Sequence, residues 1–432
     1  MDSLYGNSIV TLSSDDKKRF NRVSKAFNDT AEWLHRKKAF EPEMLSEPEP
    51  LALISATHDV LAEELGRLER RIPDEMARAL DENIFLFSGF KTYHELNDAS
   101  RLLKDDDGGF KSFDRFLQGV KAIDAQYNQN YLYAEYNFAT ASTQMAAKWA
   151  DIERDGDEYN LQYRTAMDGL VRPEHAALEG ITLPPSDKFW NEYYPPNGWN
   201  CRCTAVQVLK DKYPTSDSDQ ACAAGERATT QIGKNGENKA AMFRFNPGKA
   251  GKVFPPKHPY LPKGCGKCDF TKLAYNPNSE KCRVCEEIRE IEKQRKEREA
   301  IQTARNNAIN SISDGTFTNE LLGLENIKTG FLYKSRRSVK TLLHHSRNVA
   351  EIETAMSLIE HLDELEFVRT SHLGEGKNLK DPIEQQKIQK KIDRGVIGYN
   401  IYYYMYNGRR WVIKTEVRYD EEESLYSFTK KP

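Results

Sequence analysis

Six of the seven cysteines stand in three close pairs, Cys201/Cys203, Cys265/Cys268 and Cys282/Cys285. The N-terminus, MDSLYGNSIVTLSSDDKKRF, has no basic region followed by an apolar core, so no secretory signal is expected. Pairs spaced this tightly in such a chain read as metal ligands or thiols, not as a disulfide framework. Cys265-Gly-Lys-Cys268 is followed, after thirteen residues, by Cys282-Arg-Val-Cys285. That is the spacing of a four-thiolate zinc site, each Cys-x-x-Cys forming one knuckle, with Gly264 and Gly266 easing the turn. Lys263, Lys267, Lys281 and Arg283 offset the thiolate charge. Four thiolates close the coordination shell, so the expected cofactor is structural zinc. No βαβ pattern surrounds either pair, which argues against a redox role.

Length bounds the rest. At roughly 100–200 residues per domain, 432 residues make about two to four domains. The chain is polar, with 30% charged and 38% hydrophobic residues, yet 21 Tyr, 19 Phe and 5 Trp suffice to build cores. A net charge of −3 excludes a polycation made as a whole for nucleic acid. No run of about 18 apolar residues appears, so no membrane span and no membrane partner are expected.

The texture is helical from Ser13 to about Glu153. Phe20, Val23, Phe27 and Leu34 follow helical spacing, Pro42–Pro50 interrupts as a Pro/Glu linker, and Leu51–Ala79 and Phe113–Ile152 read as further helices. Between Glu158 and Val208, Gly and Pro become frequent and short apolar runs suggest short strands. Lys210–Asn238 reads as loop. Lys234–Lys263, with seven Lys/Arg against one Glu and five prolines, reads as an extended basic segment. Glu286–Ile312 is a charge-dense helix that suits a solvated connector. Beyond it, helices are expected at Val339–Asp363 and Pro382–Ile392, and strands at Gly398–Tyr406, Arg410–Tyr419 and Ser424–Lys430. Asn407-Gly408 between two aromatic and β-branched runs is a strong hairpin signal.

The segment Thr165–Val208 carries Thr165, Asp168, Val171, Arg172, His175, Trp190, Pro195, Pro196, Cys201, Arg202 and Cys203. This spaced set resembles the core signature of Mu F-like minor head (head-morphogenesis) proteins of phages, and the likeness extends over roughly Phe85–Leu209. The resemblance implies a protein that meets portal and capsid or procapsid proteins during head assembly, in the cytoplasm of a bacterial host and then in the virion. Some relatives place a His just before Asn-Cys-Arg-Cys, where this chain has Gly198 and Trp199. Physically the segment suits a turn-rich unit: Pro195-Pro196 holds an extended backbone, Asn197-Gly198 turns, and Trp190 and Trp199 have large areas to bury. Arg172 and Arg202 are candidates for ion pairs with Asp168 or Glu174. His175, Cys201 and Cys203 either ligate a metal or only hold the fold.

Two readings stand for Phe317–Pro432. In one, the domain resembles the barnase, EndoU, colicin and RelE-like nucleases: a helix carrying His, then a strand meander carrying basic and hydroxyl groups. That resemblance implies metal-independent RNA cleavage, with His344 and His345 on the helix and Lys414, Glu416, Arg418, Tyr426, Ser427 and Thr429 on the strands, a base, an acid and a cation for the phosphate being the requirement. Tyr399, Tyr402, Tyr403, Tyr404 and Tyr406 can stack bases or simply alternate between the faces of a strand. Lys334, Arg336, Arg337 and Lys340 offer a local basic patch. In the other reading the domain is a non-catalytic interaction module, which its near-neutral charge balance favours.

The fold class is therefore multidomain α+β. We expect an N-terminal helical region (1–75), a Mu F-like domain (76–210), a basic loop with a four-cysteine zinc-ribbon-like insert (211–285), a helical connector (286–312) and a small α+β domain with an antiparallel sheet (313–432).

Overall fold

The computed structural model describes residue 5 and residues 12–261, 280–313, 317–420 and 422–430. Contacts divide the chain into two units, residues 1–292 and 293–432. The fold is multidomain α+β, as the sequence implies.

Helix α1 (Ser14–Lys37) opens on a capping box between Ser13 and Asp16 and stops at Lys38, which adopts φ 63°. Its stripe of Phe20, Val23, Phe27 and Leu34 is buried. The Pro42–Pro50 stretch is not a linker. It forms a tight 3-10 turn at Pro42–Ser46 and runs into α2 (Pro48–Leu61), where Pro48 sits among the first helical residues that lack an intrahelical acceptor. The expected Leu51–Ala79 helix breaks twice, giving α2, α3 (Glu63–Leu68) and α4 (Asp74–Ser100). Pro73 stands at the last break, and a residue before proline is pushed out of helical geometry. Phe113–Ile152 becomes α5 (Phe113–Asp124), a π-helical stretch at Ala125–Tyr131, and α6 (Leu132–Asp155).

The π stretch lies where charge is buried. Lys91 of α4 and Glu135 of α6 are 0% exposed, with Nζ 2.9 Å from the carboxylate. Lys91 also donates to the Tyr127 carbonyl at 2.6 Å. Tyr5 donates to Glu135 at 2.8 Å and lies 3.1 Å from Nε2 of His258. Nδ1 of His258 accepts from the Tyr260 amide at 3.2 Å, so a neutral His258 carries its proton on Nε2, facing Tyr5. Burial holds His258 well below the usual imidazole range.

A three-stranded sheet follows: β1 (Asn160–Arg164), β2 (Thr182–Leu183) and β3 (Thr204–Val208), in the order β2-β1-β3. Short helices α7 (Pro173–Ala176) and α8 (Phe189–Glu192) lie in its connections. The expected loop at 210–238 contains α9 (Ser218–Ala228), capped by Asp217, whose side chain accepts from the Gln220 amide. Nor is the basic segment simply extended. It includes the helical turn α10 (Pro247–Ala250), and Met242, Phe243, Phe245, Val253, Phe254, Tyr260 and Leu261 join the core of the long helices. Asn83 pins it by accepting from the amides of Val253 and Phe254 at 2.9 and 2.7 Å. At Gly248 a Cβ would meet Trp149 at 2.3 Å, so the strap passes only as glycine. Helix α11 (Glu280–Ser311) gives Val284, Cys285, Ile288 and Ile291 to the core of the first unit, and Ala308 to that of the second.

In the second unit β4 (Glu320–Gly323), β5 (Phe331–Lys334), β6 (Glu366–His372), β7 (Val396–Tyr406), β8 (Arg409–Arg418) and β9 (Glu423–Lys430) form a sheet in the order β4-β5-β9-β8-β7-β6. Strands β7–β9 stand where they are expected, joined by a turn with Asn407 at φ 49° and Gly408 at φ 69°. Helix Val339–Asp363 is instead two: α12 (Arg336–His345) and α13 (Val349–Leu358), the second capped by Asn348. Helix α14 (Pro382–Ile392) matches its expectation. Glu423 is fully buried and accepts from Tyr402, Asn400, Thr329 and Thr415 at 2.6, 2.9, 2.9 and 2.5 Å.

Glu95, also fully buried, allows a check on the first unit. Burial pushes its carboxyl up to about 8, against the pull of Lys91 and of Asn128, while Asp124 and Glu135 add to the rise. Its folded-state value lies above the unfolded one, so its stabilising contribution is full below about pH 4.5 and is lost as pH climbs to about 8. Glu95→Gln should therefore raise the unfolding free energy at pH 8, by on the order of 4 kcal/mol, with the gain shrinking toward pH 5. Thermal melts of both proteins across that range check it.

Candidate functional site

Strand β1 ends at Arg164, and the chain then turns through 165–172. Thr165 donates through its hydroxyl to Glu179 at 2.8 Å, and Asp168 accepts from the Leu170 amide at 3.0 Å. Arg202 grips Asp168 with both terminal nitrogens, at 2.6 and 2.8 Å, and holds that carboxyl below the usual carboxylate range. The pair spans two turns and sets their spacing. Among the described residues Arg172 makes no such pair. Its guanidinium donates to the Trp199 carbonyl at 2.6 Å, passing where a Cβ at position 198 would lie 2.9 Å from Nη1. Trp199 is buried with the helical core, its ring 5.0 Å from that of Phe138. Tyr163 of β1 donates to Asn197 at 2.9 Å, tying the turn after the cis Pro195–Pro196 bond to the sheet.

These constraints bring three buried donors together. Pro173 starts α7, which turns His175 inward, and Asn200 at φ 57° directs the chain into Cys201. Nδ1 of His175 lies 3.6 Å from Sγ of Cys201 and 3.8 Å from Sγ of Cys203. All three ligand atoms fall within 4.8 Å of one another. A tetrahedral zinc with bonds of about 2.3 Å to sulfur and about 2.0 Å to nitrogen requires nitrogen–sulfur separations of about 3.6 Å. Soft thiolates and a neutral imidazole are also the donors zinc prefers. The group therefore can hold a metal. Three ligands leave a fourth position, and a cleft of about 220 Å³ lined by Arg172, Asn200 and Arg202 opens beside them. A hydrogen bond from Cys203 and the nearby His175 draw the Cys201 thiol well below its usual range, while the same sharing and burial push Cys203 up.

Residues 101–206 match the Phage Mu protein F like protein family. This Mu F-like region contains the Asp168–Arg202 clamp and all three candidate ligands. Within the curated relatives, the chain is 45% identical over 69 residues to "Putative capsid assembly protein F" of Escherichia phage Mu, covering 16% of each protein. It is 31% identical over 127 residues to "Mu-like prophage FluMu F protein" of Haemophilus influenzae, covering 24% of this chain and 31% of that one. The chain thus spans less than a third of the length of either relative in these matches. No solved structure matches it.

The other expected sites are placed as follows. Cys265, Cys268 and the side chain of Cys282 lie outside the described residues, and Cys285 is buried in α11. His344 is exposed on α12. His345 meets the Tyr426 carbonyl through Nδ1 at 2.9 Å, and its ring lies 5.1 Å from that of Tyr426. Lys414 pairs across the sheet with Ser427, and its ammonium sits 4.0 Å from the Tyr399 ring centre. Thr429 lies opposite Val412, its side chain outside the described residues. Glu416 and Tyr426 line one polar cavity of about 300 Å³, whereas His344, His345, Lys414 and Ser427 are not among its walls. The cavity also takes Arg394, a residue that sequence reasoning missed because it stands alone in the turn after α14.

Zinc content of the full chain tests the first group. Cys201→Ser/Cys203→Ser should lower bound zinc by about one equivalent relative to wild type, and cobalt substitution should lose part of its sulfur charge-transfer absorption. Equal metal content in both proteins would show that the three residues only hold the fold.

Proposed function

We propose that this chain is a minor head protein of a Mu-like phage or prophage, acting in head morphogenesis at the portal or procapsid. The observation that carries this reading is that the stretch resembling the Mu F-like family is also the stretch where Asp168–Arg202 and the His175, Cys201, Cys203 group are built. The proposed domain organisation keeps 76–210 as the Mu F-like part, flanked by the helical region 1–75 and the basic and cysteine-rich segment 211–285. The connector 286–312 and the domain 313–432 follow. Partners are portal and capsid or procapsid proteins, and the protein ends in the procapsid or virion. In an inducible prophage carrying this chain, it should sediment with procapsids, and Asp168→Ala/Arg202→Ala should lower the yield of infectious particles at least tenfold. Unchanged titre together with absence from purified heads would exclude the role.

For the C-terminal domain we propose an RNase-like effector, metal-independent, with His345 or His344 as acid or base and Lys414 facing the phosphate. Its support is the run of contacts from His345 through Tyr426 to Lys391 and Tyr399, with Lys414 over the Tyr399 ring. The full chain, incubated with mixed RNA and EDTA, should degrade it, and His344→Ala/His345→Ala and Lys414→Ala should each be at least a hundredfold slower. No cleavage by wild type, or equal cleavage by all three, leaves a domain that only binds a partner.

We also propose structural zinc at Cys265, Cys268, Cys282 and Cys285. A Cys282→Ser protein should lose about one zinc while the Mu F-like region keeps its fold, read by elemental analysis and hydrogen exchange.

A further inference from the structure

The polar cavity of the second unit lies in none of the sequence-derived sites as a whole. Its walls include the start of α12 (Ser335, Arg337, Ser338, Thr341), the turn after α14 (Arg394), the end of β8 (Glu416, Arg418), and one residue each of β5 and β9 (Tyr333, Tyr426). A volume of about 300 Å³ suits one phosphate with part of its nucleoside.

Three guanidinium groups line this small cavity, and their partners account for only part of their donors. Arg337 and Arg394 are exposed and form no ion pair among the described residues. Arg418 stands 3.7 Å from Glu416, too far for a tight bidentate pair, and its Nε is buried without a hydrogen-bond partner among the described residues. The helix adds to the field. Helix α12 has ten residues and its N-terminal Ser335, Arg337 and Ser338 line the cavity, where the helix dipole favours negative charge although the amides of Arg336 and Ser338 are already bonded to Asn319 and Ser335. Glu416 and Glu422 oppose this, but two carboxylates against three guanidinium groups and a helix end leave a net attraction for an anion.

The aromatic walls narrow the ligand class. Tyr333 and Tyr426 line the cavity beside the arginines, and the Tyr426 ring also meets the Lys391 ammonium at 4.2 Å. Fork-shaped donors that match phosphate, next to aromatic side chains, are the complement of a single-stranded nucleotide chain.

We infer that this cavity, walled by Arg337, Arg394 and Arg418 with Tyr333 and Tyr426, binds a phosphodiester group of single-stranded RNA. The choice of RNA rests on the RNase-like reading above; the anion site rests on the cavity itself.

The experiment separates binding from cleavage. The full chain is titrated with a fluorescent 2′-O-methyl oligoribonucleotide, which cannot be cut through the 2′-oxygen, and cleavage is measured separately on unmodified RNA. Arg337→Gln and Arg394→Gln lie on the exposed rim, so they leave the fold intact. Each should weaken binding about tenfold and flatten the dependence of log affinity on log salt by roughly 0.7. Lys380→Gln, an exposed lysine outside the cavity, should bind as wild type. Wild-type affinity in both arginine variants overturns the site, even if RNA is cleaved. Loss of binding in both variants, with no cleavage by wild type, upholds the site and rejects the RNase reading. Competition by inorganic phosphate without any binding of the oligonucleotide overturns the assignment to RNA.

Discussion

Lys91 and Glu135 face each other inside the first unit with no solvent exposure, and the surrounding elements are arranged around what that pair still needs. A charge taken out of water is tolerated only when opposite charge and hydrogen bonds replace the lost hydration, and deleting one partner typically costs about 3–5 kcal/mol. The π-helical stretch places the Tyr127 carbonyl against Lys91. Tyr5 comes from the far N-terminus to donate to Glu135, and His258 arrives on the strap that crosses the helices. So the ion pair joins three distant parts of the chain, and the position of α4 against α6 cannot shift by a turn without stranding a charge. The family match at residues 101–206 begins directly after α4, on this framework.

The candidate metal group depends on a second, smaller set of constraints. Asp168 and Arg202 clamp two turns that otherwise have little regular structure, and Arg172 reaches the Trp199 carbonyl. With those in place, Cys201 and Cys203 point at one ring nitrogen of His175. In the second unit Glu423 plays a comparable part. Its carboxylate is buried, yet four donors surround it, so the sheet gains directional contacts that tie β7, β8 and β9 to the Thr329 turn. The cavity lined by arginines opens beside that ordered sheet.

Much of this was legible in the sequence where one physical rule acts alone. The 3.6-residue spacing of Phe20, Val23, Phe27 and Leu34 names the buried face of α1, and Asn407-Gly408 names the β7–β8 hairpin, because each signal is local. The spaced set from Thr165 to Cys203 pointed to one clustered unit, and His175 does meet both cysteines. What local rules cannot weigh is a competition. Pro48 looked like a breaker and proved a helix start, since a first-turn proline lacks only a donor that has no acceptor there. The basic strap read as extended from its charge and prolines, yet its few aromatic residues carry it into the core while the charged ends of its lysines can stay in water.

The sequence by itself determined the class of each part: a helical first half, a turn-rich segment with a paired set of sulfur and nitrogen donors, and a final hairpin-bearing sheet. Tertiary structure alone decided which distant groups meet. It paired Arg202 with Asp168 and left Arg172 to a carbonyl, brought Arg394 into a cavity with Arg337 and Arg418, and set Tyr426 between His345 and Lys391. The physical reason is one of range. Helical and strand periods act over a few residues, whereas ion pairs and buried polar contacts are settled by which side chains arrive together when apolar faces close.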